Sequence, residues 1–198
     1  MISIIAVPGA NIGNLMAIFP DAALVVEPQQ LAQNTNCLVL PGVGHFKAYM
    51  TFLAENDWLK FLRDISESQK KLKVLGICAG FHILCAGSEE APDVRGLGIF
   101  NVHVTSLKPN LSVNPALKVP NIGQKKMNSV PQLLDIDHAY FIHSFAAHSI
   151  KSSHERQWID YGTDRLVAAM VRDNFIGMQY HPELSGTQGI KFLKTITQ

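Results

Sequence analysis

The stretch Val74-Leu75-Gly76-Ile77-Cys78-Ala79-Gly80-Phe81-His82 ends a short apolar run in Gly-x-Cys-x-Gly and passes at once into an amphipathic segment. That order reads as strand, sharp turn and helix, a nucleophile elbow with cysteine in the serine position. A side chain at Gly76 or Gly80 would clash where the backbone doubles back beneath a strained central residue, so both positions call for glycine. Cys78 is then expected to stand exposed at a helix N-terminus. There the macrodipole and the unpaired first-turn N–H groups favour a thiolate and can hold an oxyanion beside it. Because the same pattern also suits a small residue packed under a helix, the elbow needs a second element before it means chemistry.

That element lies about a hundred residues on, in Ile176-Gly177-Met178-Gln179-Tyr180-His181-Pro182-Glu183. Phe175 to Tyr180 reads as a strand. His181 and Glu183, two residues apart, leave an extended backbone on one side, and Pro182 keeps His181 extended. A cysteine nucleophile needs a base and the base needs an orienting group. Of the eight histidines, His181 alone has an acid at this spacing with a strand behind it. Cys37, within Cys37-Leu38-Val39-Leu40, and Cys85, in the helix expected after the elbow, read as inert core thiols. Three cysteines without a CxxC pair give neither a disulfide framework nor a zinc site, and they suit a reducing compartment.

Around these two anchors, apolar runs alternate with amphipathic segments, the pattern of helices packed on both faces of a mostly parallel sheet. The fold class expected is a three-layer α/β domain spanning residues 1–198. Strands are expected at Ile2–Ala6, Leu24–Val26, Cys37–Leu40, Val74–Ile77, Tyr140–Ile142, Val167–Val171 and Phe175–Tyr180. Helices are expected at Gly13–Phe19, Trp58–Ser68, Phe81–Ala86 and Gln188–Thr195. Such sheets bind ligands at the carboxyl ends of their strands, and Gly44, Cys78, Ser144 and His181 all follow expected strands. The polar stretch from Lys108 to Asn128 reads as loops and short strands forming a partner surface. With 198 residues, 47% hydrophobic, and a formal net charge of +1, the chain suits one compact core and no polyanionic partner. No basic run, 18-residue apolar stretch or signal-peptide pattern is present, so the expectation is a cytoplasmic protein without nucleic-acid or membrane partners. Gly9-x-x-x-Gly13 misses the dinucleotide-binding spacing, and the five-residue spacing of His138, His143 and His148 fits no metal site.

The pairing of Gly-Ile-Cys-Ala-Gly with His181-Pro182-Glu183 resembles the triad of the class I, triad-type glutamine amidotransferases. Within that superfamily the chain resembles the glutaminase subunits of imidazole glycerol phosphate synthases. The likeness runs nearly end to end, through Leu40-Pro41-Gly42-Val43-Gly44-His45-Phe46, Ser88-Glu89-Glu90, Gly96-Leu97-Gly98, Tyr140-Phe141-Ile142-His143-Ser144-Phe145 and Asp160-Tyr161-Gly162 to Gln179-Tyr180-His181-Pro182-Glu183-Leu184-Ser185-Gly186. The resemblance implies a flavodoxin-like fold, a Cys78 thioester formed from L-glutamine, and no cofactor or metal. It also implies a heterodimer with a (β/α)₈ cyclase subunit that takes the ammonia to form imidazole glycerol phosphate and an aminoimidazole carboxamide ribotide. It makes Pro41-Gly42-Val43-Gly44 an oxyanion strand, with the Val43 and Ala79 N–H groups as the oxyanion hole, and it places Gly42, Gly44, His82, Ser144 and Phe145 near the glutamine.

The chain also departs from that pattern. The fourth residue after the nucleophile, usually glutamine, is His82. The family's Pro-His-x-Gly-Trp-Asn reads Pro120-Asn121-Ile122-Gly123-Gln124-Lys125, and the usual Asp-Tyr-Gly after the first strand reads Ala6-Val7-Pro8-Gly9. An imidazole offers one hydrogen bond per nitrogen and lacks the paired geometry of a carboxamide. The residues leave open the glutaminase of another synthase, such as that of pyridoxal phosphate, a stand-alone cysteine hydrolase, and a non-catalytic regulatory subunit.

Overall fold

A computed structural model describes residues 1–68, 72–109, 112, 114–115, 117–129 and 135–198. In chain order the strands and helices are β1 (Ile2–Ile5), α1 (Gly13–Ile18), β2 (Ala23–Val25), β3 (Cys37–Leu40), α2 (Phe46–Glu55), α3 (Trp58–Glu67), β4 (Lys73–Ile77), α4 (Ala79–Leu84), β5 (Cys85–Ser88), β6 (Phe100–Ser106), β7 (Asn121–Lys126), β8 (Asn128–Ser129), β9 (His138–His143), β10 (Phe145–Ala147), β11 (Glu155–Tyr161), β12 (Asp164–Arg172), β13 (Phe175–Met178) and α5 (Gly186–Ile196). The central sheet has the order β2-β1-β3-β4-β13-β12-β11-β8. Its first five strands are parallel, and β12, β11 and β8 extend it antiparallel.

The two faces of the sheet are separated by the alternation of side chains along each strand. On β3, Leu38 and Leu40 pack with α2, α3 and α4, whereas Cys37 and Val39 pack with α1 and α5. Helix α3 buries Trp58, Leu62 and Ile65, one stripe of a helix, and each such side chain contributes about 1.5–3 kcal/mol. The Trp58 indole N–H donates to Val26 O at 2.6 Å, so its polar edge is satisfied as well. Two small sheets sit beside the layers: β10-β6-β5 and the antiparallel pair β7-β9.

Several expectations need correction. Phe46–Glu55 is a helix that the sequence reading left out, although Phe46, Tyr49, Met50 and Leu53 recur at helical spacing. The helix after the elbow starts at Ala79 and ends at Leu84, so Cys85 opens β5 instead of lying in a helix; its thiol donates to Phe81 O at 3.3 Å. Tyr140–Ile142 belongs to the β7-β9 pair and not to the central sheet. Strand β11 was missed because its buried positions include polar residues: Glu155 pairs with Arg165 at 2.9 Å, and Gln157 is held by Ile136 O and the Tyr180 hydroxyl. A partner stretch from Lys108 to Asn128 is described in part; residues 110, 111, 113 and 116 lie outside the described residues, and β7 is a strand within it.

Candidate active site

Two glycines let helix α4 come down tightly onto the sheet. A Cβ built at Gly76 would lie 2.6 Å from Gly80 O, and one at Gly80 would collide with Leu40 O on the neighbouring strand. The strand-turn-helix junction is therefore closed to any larger residue. At the turn Cys78 adopts φ 45° and ψ −102°, a conformation that costs a non-glycine residue about 1–3 kcal/mol and persists because β3, β13 and α4 hold both sides. Its N–H donates to Met178 O at 2.7 Å, fixing the elbow between β4 and β13.

Cys78 is not exposed as the sequence suggested; only 7% of its surface is accessible. It forms the floor of a cavity of about 280 Å³, near the lower end of small-molecule sites, because the Gly42–Gly44 loop and the Ile142–Phe145 segment rise around it. The carboxyl ends of β3, β4 and β13 meet there, where a doubly wound sheet places its ligand.

His181 stands over this floor. Its backbone is extended, φ −104° and ψ 92°, as Pro182 requires, but Glu183 returns through a turn of 3₁₀-helix at Pro182–Leu184 and not by continuation of a strand, which already ends at Met178. The His181 N–H donates to Tyr140 O at 2.8 Å. The Ser185 hydroxyl accepts from Tyr140 N–H at 2.9 Å and donates to His181 O at 2.6 Å. The His181 backbone is thus held from β9 and from the start of α5. Nδ1 lies 2.7 Å from Glu183 Oε1, both side chains 2% exposed, and Nε2 is buried without a hydrogen bond of proper geometry. Burial opposes a charge on the ring, but the neighbouring Cys78 sulfur and the Glu183 carboxylate outweigh it and push the His181 pKa up to about 10. The ring has no room to move back: a Cβ at Gly42 would sit 2.7 Å from His181 Cε1.

The Gly42–Gly44 segment, expected to serve as an oxyanion strand, lies directly after β3 and beside the elbow. Its peptide is turned the other way. Ala79 N–H donates to Gly42 O at 3.3 Å. In a planar trans peptide the Val43 N–H points opposite to Gly42 O, so neither donor is presented to the cavity as an oxyanion hole in this resting arrangement. Gly44, Ser144 and Phe145 line the cavity, and His82 does so with its Nε2 bonded to Gln179 Oε1 at 2.9 Å.

Three lining residues, Glu90, Ile142 and His143, were missed as site residues. Glu90 was read only as part of a longer match; its carboxylate accepts from Phe46 N–H at 2.7 Å and reaches the cavity, where it can face a cationic group. His143 was read only within a longer match and as a rejected metal ligand, having no acid beside it. Its Nδ1–H donates to Phe145 O at 2.9 Å and its Nε2 accepts from Asn121 Nδ2 at 3.0 Å, a neutral tautomer that matches its pKa, lowered by burial to about 3. Among the described residues no group of three or more His, Cys, Asp or Glu is placed to hold a metal, and no helix is long and apolar enough to cross a membrane.

A thiol, an imidazole and a carboxylate gathered at the carboxyl edge of a parallel sheet make up the parts of a cysteine acyl-transfer site. The chain belongs to the class I glutamine amidotransferase family, whose model matches residues 10–196. It is 32% identical to the imidazole glycerol phosphate synthase subunit HisH of Lactiplantibacillus plantarum, over 98% of this chain and 93% of that protein. The subunit of the same name from Exiguobacterium sibiricum is 33% identical over 93% of this chain and 87% of its own length. Among solved structures, a crystal structure of a glutamine amidotransferase superposes over 100% of this chain with a TM-score of 0.75 at 16% identity, and a glutamine amidotransferase from Thermotoga maritima over 98% with 0.55 at 14%. These two share the fold.

Proposed function

We propose that the chain is the glutaminase subunit of an imidazole glycerol phosphate synthase of histidine biosynthesis, with Cys78 as nucleophile, His181 as base and acid, and Glu183 as the carboxylate that orients it. The observation that carries this reading is the Cys78, His181 and Glu183 constellation at a cavity floored by Cys78, in a chain related over nearly its whole length to subunits of that name. The alternatives open from the sequence have no comparable support.

With its pKa pushed up, His181 holds the proton given up by Cys78, its Nδ1–H anchored on Glu183, and the thiolate adds to the side-chain carboxamide of L-glutamine. The oxyanion requires donors, so the Gly42–Val43 peptide turns over when substrate binds, freeing Ala79 N–H and presenting Val43 N–H. One such donor is worth about 10²–10³ in rate. His181 then protonates the departing amine. A water, deprotonated by the same ring, hydrolyses the thioester to glutamate. Glu90 faces the α-ammonium group of the substrate, and backbone groups of Gly44, Ser144 and Phe145 hold its head.

The partner is a cyclase subunit with a (β/α)₈ barrel, reached across the cavity mouth. Val43 and Ile142 are lining residues that remain exposed, Ile122 is paired with Ile142 across β7 and β9, and Leu184 follows Glu183; an apolar rim of this kind is what a docked partner covers. Such cover keeps water from the ammonia. The reaction belongs in the cytoplasm, where the thiols stay reduced. The test is glutamate release from L-glutamine by the full chain, alone and with the cyclase subunit and its nucleotide ligand, with Cys78→Ala as blank. Strong stimulation that is absent in the variant is expected; equal rates in parent and variant would remove the proposal.

A further inference from the structure

His82 occupies a lining position, yet one of its nitrogens is turned away from the cavity. Its Nε2 lies 2.9 Å from Gln179 Oε1, and Gln179 Nε2 lies 3.6 Å from Cys78 Sγ. Gln179 is fully buried, and its backbone N–H is tied to Ala168 O at 2.8 Å, so its carboxamide cannot exchange these partners for water. A carboxamide oxygen only accepts and its nitrogen only donates. The imidazole must therefore carry its proton on Nε2, and the amide must present N–H to the sulfur. His82 lies one helical turn after Cys78, on the same face of α4, which is why one ring can reach the strand that holds Gln179.

We propose that His82 is a positioning residue for the nucleophile: by holding Gln179 Oε1 it keeps the carboxamide N–H group aimed at Cys78 Sγ, where that donor favours the thiolate over the thiol. The inference rests on the reading of Cys78 as nucleophile. In the neutral state the thiol proton is directed at Ile142 O, 3.9 Å away. Loss of that proton ends the donation and leaves the Gln179 donor in place, now bonded to an anion, and hydrogen bonds to charged groups are the stronger kind. The other titratable groups at the cavity are His181, backed by Glu183 of the 3₁₀ turn, His143 from β9, and Glu90 from the loop after β5. Of these, His181 and Glu183 form the acid–base pair; the His82–Gln179 relay is a second, neutral source of stabilisation. The same geometry settles what His82 offers a ligand. With Nε2 as donor, the neutral ring shows the cavity a lone pair on Nδ1, so it cannot donate to a ligand carboxylate.

The test is the pH dependence of Cys78 alkylation by iodoacetamide on the full chain, with the labelled cysteine identified by mass spectrometry. Gln179→Met should move the midpoint of the profile up by about one pH unit, the size of one hydrogen bond to a charged group. His82→Phe should move it the same way by less, and His82→Gln, which retains a donor, should restore the parent profile. Unchanged or lowered midpoints in Gln179→Met and His82→Phe would overturn the relay, since the opposite orientation of the carboxamide sets an oxygen against the sulfur. If either variant does not fold, ¹⁵N shifts of the His82 ring in the parent decide: a protonated Nε2 supports the relay and a bare Nε2 sinks it. Should Cys78 react no faster than Cys37 and Cys85, the nucleophile reading itself fails; selective labelling with an unmoved profile removes the relay alone.

Discussion

Replacing Glu183 by glutamine isolates the contribution of one carboxylate to the proposed chemistry. The 2.7 Å contact to His181 Nδ1 is made between side chains that are each 2% exposed, so solvent screens little of it. The rise of the His181 pKa from 6.5 to about 10 corresponds to about 5 kcal/mol in favour of the imidazolium. Cys78 and Glu183 both favour the imidazolium against the cost of burial, and the Glu183 contact, as a hydrogen bond to a charged group, is worth about 2–3 kcal/mol. At about 1.4 kcal/mol per decade, Glu183→Gln should lower kcat for glutamate release by about 30- to 150-fold. A larger loss follows if the carboxamide turns its NH₂ toward Nδ1 and reverses the tautomer. KM for glutamine should change little, because Glu183 does not line the cavity. The assay is steady-state glutamate release in the presence of the cyclase subunit, with circular dichroism to confirm folding. A folded variant within threefold of the parent would refute the assignment of Glu183 as the orienting group.

Other substitutions and conditions test separate parts of the structure. Gly42→Ala should reduce activity at least 100-fold, since the added Cβ lands 2.7 Å from His181 Cε1 and 2.9 Å from Ile77 Cγ2; a variant with parental rate would show that the oxyanion strand is free to shift. Cys78→Gly should abolish glutamate release yet raise the unfolding free energy by about 1–2 kcal/mol, read by urea titration, because glycine accepts φ 45° without strain. Stability should fall as pH drops below about 6.5: His143, held neutral by burial with a folded pKa of about 3, and His82, lowered also by burial, take up protons in the unfolded chain first. Replacing His143 by glutamine should flatten that acid limb of the pH–stability curve, and an unaltered limb would count against the burial argument. Cys37 and Cys85, whose thiols burial pushes up, Cys37 to about 12, should resist alkylating reagents in the folded chain near neutral pH.

The sequence by itself determined the parallel half of the sheet, because its strands are short apolar runs; Cys37–Leu40 lies where it was expected, and Lys73–Ile77 to within one residue. It also paired Cys78 with His181 and Glu183, since the Gly-x-Cys-x-Gly elbow and the His-Pro-Glu end are local patterns whose chemistry requires those residue types. The helix at Phe46–Glu55 was legible too, its buried residues recurring at helical spacing, and was overlooked. Other features could not be read from the chain alone. Strand β11 buries Glu155 and Gln157, whose partners Arg165, Ile136 and Tyr180 come from elsewhere in the sequence, so its polar letters concealed its buried face. His143 and Glu90 became cavity residues only when β9 and the segment after β5 were folded over the elbow. The direction of the Gly42–Val43 peptide is decided by a single hydrogen bond from Ala79, and the bond from His82 to Gln179 joins residues 97 apart. A hydrogen bond between distant segments leaves no periodic trace in either of them, so only the tertiary structure could decide which donors face the nucleophile.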